Sequence, residues 1–155
     1  MKVKKLPFEV YKSIYSKVPR LTVDLLVKND QGVLLTKRNI PPDIGWWHFP
    51  GGTVLMGETF ADAVSRVASE ELSTKVEIVK MIGVLEYIQG SGLGYSKSVV
   101  FLVKPLKEEV SSGEQSSEIG YFSVPPAKTL PEVKKFLEEQ PIDLSNQALY
   151  INQDY

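Results

Sequence analysis

Two adjacent carboxylates, Glu70 and Glu71, close a run that opens on Gly51-Gly52 and carries Glu58 and Arg66 in between. Carboxylate oxygens suit a hard divalent cation. At about 100° per residue, Phe60, Ala63, Val64, Val67 and Ala68 form one apolar stripe of a helix. Glu71 projects at about 20° from Phe60 on the same wheel, near the middle of that stripe. Burying a carboxylate there is costly unless something neutralises it. Two readings are open: a cation site at Glu71, or a last helical turn that frays and leaves Glu71 in water. The double glycine, not expected to hold a regular element, stands just ahead of the helix. It favours the cation, because a turn there brings backbone carbonyls toward the same carboxylates. Glu70 lies at the edge of the stripe, beside Arg66 one turn back.

The elements that must position these groups are legible on either side. Thr59 with Asp62 three residues on has the form of a capping box that starts the helix. Upstream, Leu21 to Lys28 reads as a strand with Leu21, Val23, Leu25 and Val27 on one face and Asp24 on the other. Asn29 to Gly32 is a turn, and Val33 to Arg38 is the returning strand. Lys37 and Arg38 end it at the mouth of a loop, either as two solvated cations or as contacts to a phosphate or base, which a guanidinium grips in bidentate fashion. The loop 39–45 is stiffened by Pro41-Pro42, and Trp46 to Phe49 follows as a short strand. There His48, the one histidine of the chain, faces opposite to Trp47 and Phe49, as a bystander or as a base.

Downstream, Val76 to Ile88 reads as a strand bent at Gly83. Gln89 to Tyr95 is a glycine-rich loop with the makings of a hairpin tip over a ligand. Lys97 to Lys104 is a buried strand ended by Pro105, Lys107 to Ser117 a polar loop and Ile119 to Val124 a short strand. Leu130 to Gln140 is an amphipathic helix with Val133, Phe136 and Leu137 as its face, and the tail from Pro141 has no strong pattern. At the other end, Pro7 to Lys17 has helical spacing and is either a lid on the core or a dimer contact.

A length of 155 residues suits one domain, here 1–155, with the helical extension at about 7–18. Apolar residues at 43% and charged residues at 24% place it among globular proteins rather than disordered ones. A net charge of −1 gives no basic field to draw it onto nucleic acid or an anionic membrane. Zero cysteines exclude a disulfide scaffold, a thiolate metal site and a cysteine nucleophile. No apolar run approaches the length of a membrane span and no signal-peptide core follows Met1-Lys5, so cytoplasm is the expected location.

Gly52, Glu58, Arg66 and Glu70-Glu71, with the lead-in Trp47-His48-Phe49-Pro50-Gly51, resemble the Nudix box at its own spacing. The chain departs from it at Val67, where the box has a Glu, at Ser73, where it has a Gly, and at Thr74, where it has an apolar residue. The resemblance extends from about Leu21 to Gln140 and implies an α/β fold, an α/β/α sandwich around a central mixed sheet. Within the family the chain looks closest to the GDP-mannose mannosyl hydrolases. They share an apolar residue at the place of Val67, an Asp like Asp24, a pair like Lys37-Arg38 and a run like Gly45-Trp46-Trp47. Their late loop reads Glu-Gln-His, with Gln a metal ligand and His the base; here Glu114-Gln115-Ser116 takes that place.

The resemblance implies Mg²⁺ or Mn²⁺ held by Glu71, Glu70, the Gly51 carbonyl and Gln115. It implies catalysis by Glu70, Glu71 and Arg66, with Glu118 as the substitute late-loop base and Asp24, Lys37 and Arg38 on the substrate. The implied substrate is a nucleoside diphosphate linked to another group, such as GDP-mannose; if the N-terminal helix is a dimer contact, the assembly is a homodimer. The rival reading is a Nudix-fold binding or regulatory module that has lost hydrolysis, to which Val67 and Ser116 point. The Nudix-type isoprenoid isomerase needs a cysteine and is excluded.

Overall fold

The computed structural model describes residues 4–41, 43–88, 95–107 and 109–140. Its centre is β1 (Arg20–Leu26), which runs parallel to β7 (Ser96–Pro105) on one side and antiparallel to β5 (Gly51–Thr53) on the other. With β6 (Val76–Tyr87) antiparallel to β7, the order is β5-β1-β7-β6, a mixed four-stranded sheet. A second, antiparallel sheet is built on β3 (Gly32–Arg38), which pairs with β2 (Lys28–Asn29), β4 (Trp47–His48) and β8 (Ser116–Phe122).

Both faces of β1 are covered, which buries Thr22 and Asp24 along with its apolar residues. Val23, Leu25 and Val27 pack with Ala63, Val64, Val67, Ala68 and Leu72 of α2 (Phe60–Leu72). Leu26 turns to a second cluster, with Val100, Leu102 and Val133 and Phe136 of α3 (Pro131–Glu139). The chain thus has the α/β architecture expected of it, with a mixed sheet and a helix packed into the core on each side.

α2 starts as its sequence dictates. Thr59 Oγ1 accepts from the Asp62 amide at 3.1 Å while Asp62 accepts from the Thr59 amide at 2.9 Å, closing the capping box. It ends at Ser73, a non-glycine residue in the left-handed region at φ 52°. Gly83 falls at a register shift between β6 and β7, the bend expected there.

Three expectations change. Gly51 and Gly52 form a strand rather than a turn, and the absence of side chains is what lets it pack. A Cβ on Gly51 would run into the Asp24 carboxylate and one on Gly52 into Val67. β1 ends at Leu26 instead of running on to Lys28. β8 begins at Ser116, three residues before the expected strand, because β3 offers a partner edge as far as Arg38. α1 (Phe8–Tyr15) buries no residue fully; Tyr11 and Tyr15 are half-buried and Phe8 is exposed. The Gln89–Gly94 stretch and the tail from Pro141 lie outside the described residues. Among the described residues no helix is long and apolar enough to cross a membrane.

Candidate active site

The last turn of α2 carries Glu71 into the protein. Glu71 is 6% exposed, between the core residues Ala68 and Leu72, so the last turn does not fray and leave it in water. Burial, then the charge of Glu70, pushes its carboxyl above the ordinary range, while Lys5, Arg38 and the Ser116 hydroxyl draw it back down. Glu70 next to it is exposed and ion-paired to Arg66 Nη1 at 3.2 Å and to Lys5 Nζ at 2.9 Å.

Arg66 ties the helix to the strand and loop ahead of it. Its Nε and Nη2 donate to the two oxygens of Glu58 at 2.6 and 2.9 Å, and Nη2 also donates to the Thr53 carbonyl at 2.8 Å. Glu58 accepts further from the Leu55 amide at 2.8 Å. The bidentate bond to Arg66 holds the Glu58 carboxyl below its usual range. Glu58 is therefore fully engaged in fixing the loop against the helix.

The segment ahead of β8 closes the end of α2. The Gly113 amide donates to the Glu71 carbonyl at 3.0 Å and the Ser111 amide to the Leu72 carbonyl at 3.2 Å, satisfying two carbonyls of the last turn. Gly113 comes so close that a Cβ would run into the Glu70 carbonyl oxygen. This contact had no signal in the sequence beyond an isolated glycine in a polar stretch. Gln115 follows in the same turn and is exposed; its carbonyl accepts from the Asn39 amide at 3.2 Å. Ser116 is buried, close enough to influence Glu71, and its hydroxyl has no partner at bonding geometry.

β3 divides the expected Lys37-Arg38 pair between its faces. Arg38 shares the face of Thr36 and lies opposite Ser116, and its charge is felt at Glu71, His48 and Tyr87. Burial pulls its own pKa down, and Asp43 works against that. Lys37 points the other way, over the Trp47 ring at 5.7 Å and bonded to Glu118 at 2.7 Å. Glu118, expected in the late loop beside a metal, lies on β8 directly opposite Lys37 and is exposed. The irregularity between Lys37 and Arg38 leaves Ser116, not Glu118, on the Arg38 face. The structure therefore does not bring Glu118 or Lys37 to the Glu70-Glu71 end. His48 pairs with Thr36, on the side of Arg38, and burial and that guanidinium lower its pKa to about 3. It is a neutral imidazole at ordinary pH.

Asp24 lies on the central strand β1. It is buried opposite Gly51, accepts from Tyr87 Oη at 2.8 Å, and burial lifts its pKa to about 7 against that hydrogen bond. Thr22 and Ser98 nearby are buried, and their hydroxyls, like Arg20 Nε, have no partner at bonding geometry, although Ser98 is close enough to lower the Asp24 pKa. A cavity of about 220 Å³ is lined by Tyr87 with Tyr15, Lys17, Tyr95 and Lys97; neither Glu70 nor Glu71 lines it. Sequence reasoning had singled out neither Tyr87 nor Lys5, since both meet their partners across more than 60 residues.

The NUDIX domain family matches residues 18–142, which include every element from β1 to α3. The chain belongs to the Nudix family. Among curated relatives, it is 31% identical over 140 residues to the low-salt glycan biosynthesis protein Agl8 of Haloferax volcanii, covering 86% of this chain and 90% of that protein. It is 30% identical over 106 residues to the ADP-ribose pyrophosphatase of Methanocaldococcus jannaschii, covering 68% of this chain and 63% of that protein. A MutT NUDIX hydrolase from Burkholderia pseudomallei superposes with TM-score 0.71 at 26% identity, over 78% of this chain and 97% of the other. Against this Nudix background Val67 is 1% exposed within the α2 core cluster. Among the described residues no three His, Cys, Asp or Glu side chains converge as a metal-binding group.

Proposed function

We propose that this protein hydrolyses a nucleoside diphosphate linked to another group, a nucleotide sugar such as GDP-mannose being the substrate class, with Mg²⁺ or Mn²⁺ as cofactor. The observation that carries the reading is Glu71, a carboxylate buried on the apolar face of α2 next to Glu70. Nudix membership supports hydrolysis, and the names of the two curated relatives point to a glycan pathway and to a sugar-linked diphosphate.

The donor set fits a Mg²⁺ that keeps most of its shell as water and phosphate oxygens, since such an ion needs only one or two protein carboxylates. Glu71 and Glu70 would hold it, with the Gly51 carbonyl and Gln115 as further oxygen donors. When bound, the cation would offset the charge of the diphosphate and orient an attacking water. Arg66 positions Glu70 and locks α2 to Thr53 and Glu58. Arg38 is the guanidinium on the Glu71 side, suited to a phosphate oxygen. Asp24, protonated through the acid range, would offer a hydrogen bond to a polar group of the substrate. A homodimer belongs to the same reading, because Phe8 and Ile14 of α1 remain exposed.

A second reading, a binding module without turnover, draws on Val67, whose burial leaves only two acids at the helix end. Phosphorus NMR of a panel of nucleotide sugars and ADP-ribose, incubated with protein and Mg²⁺, separates the two. The hydrolase reading expects new phosphate resonances that also report which bond breaks. Binding without any new resonance would give the module reading the field.

A further inference from the structure

Lys5 reaches the carboxylate pair from the segment that precedes α1, far outside the motif that supplies the other groups. Its Nζ lies 2.9 Å from Glu70 Oε2, the same oxygen that Arg66 Nη1 approaches at 3.2 Å. Its charge also acts on Glu71, where it opposes the effect of burial. The segment is not held by that ion pair alone. Tyr11 in the following helix contacts Thr53 Oγ1 through its hydroxyl at 3.3 Å and accepts from Arg20 Nη1 at 2.7 Å, which anchors α1 to β5 and β1. The ammonium is thus tethered within reach of Glu70.

We infer that Lys5 is a built-in counter-ion that competes with a divalent cation for Glu70 and so sets the cation affinity of the site. The inference rests on the proposed metal site. Two carboxylates in a row are stabilised by positive charge, and in this arrangement an ammonium supplies it. A divalent ion arriving at the pair must displace the lysine from Glu70 Oε2 or bear its repulsion. Both effects weaken binding, by an amount that salt screens because the Lys5–Glu70 pair is exposed.

The test is isothermal titration of the full chain with MnCl₂, without nucleotide, at low and at high KCl. Lys5→Gln removes the charge, and Lys4→Gln, altering the neighbouring lysine, controls for net charge. The expected result is Mn²⁺ binding tighter by roughly threefold to tenfold in Lys5→Gln at low salt. The gain should shrink at high KCl, and Lys4→Gln should match wild type. Equal or weaker binding in Lys5→Gln, or an equal gain in Lys4→Gln, overturns the inference while leaving the metal site standing. No binding by any of the three proteins overturns the inference and the metal site together.

Discussion

Asp24 and His48 titrate in opposite directions from their ordinary positions, and the consequence is measurable. Burial raises Asp24 to about 7, so the folded protein keeps a proton that the unfolded chain has lost. Its contribution to stability is complete below the unfolded value of 3.8 and is lost as pH rises toward 7. Burial and Arg38 lower His48 to about 3, so its contribution is complete above 6.5 and is lost as pH falls. Where the windows overlap, between 3.8 and 6.5, the two slopes oppose each other at about 1.4 kcal/mol per pH unit each. Asp24→Asn should therefore gain stability as pH rises through that window, and His48→Gln should lose it. Urea unfolding at the two ends of the window checks this; an Asp24→Asn profile parallel to wild type would mean that Asp24 is ionised in the folded protein.

At the scale of the element, α2 depends on groups that do not belong to it. Its first turn is fixed by its own capping box, which two residues in sequence announce. Its last turn is fixed by Gly113, whose amide holds the Glu71 carbonyl and whose missing side chain leaves room for the Glu70 carbonyl. Gly113→Ala forces a methyl group against backbone that cannot rotate away. The expected cost is about 1–3 kcal/mol of stability, with weaker Mn²⁺ binding because Glu70 and Glu71 are displaced. Denaturant unfolding reads the first effect; a variant as stable as wild type would show that the late segment does not bear on α2.

Across the whole molecule, the candidate site gathers segments that are distant in the chain: Lys5, Arg38, the β5 glycines, α2 and the turn before β8. What was legible beforehand was local. The stripe of α2, its cap, Glu71 at the centre of the stripe and the bend at Gly83 each follow from spacing within a few turns or strand pairs. Glu118 was misplaced because Glu114 to Ser117 is polar enough to pass for loop, and only the edge of β3 makes a strand of its end. Gly51-Gly52 read as a turn because glycine disfavours strands; the reason it forms one here is the neighbouring bulk of Asp24 and Val67, which no local pattern carries. Lys5 with Glu70 and Tyr87 with Asp24 are pairs that exist only once the sheet is assembled.

The proposed hydrolysis requires the buried end of α2 to hold a divalent cation. Calorimetric titration with Mn²⁺ of wild type and Glu71→Gln, which deletes a charge but conserves volume, tests it most directly. One bound Mn²⁺ in wild type and a loss of affinity of roughly tenfold or more in the variant, with the circular dichroism spectrum unchanged, is the predicted result. Wild-type affinity in a folded Glu71→Gln protein would contradict it.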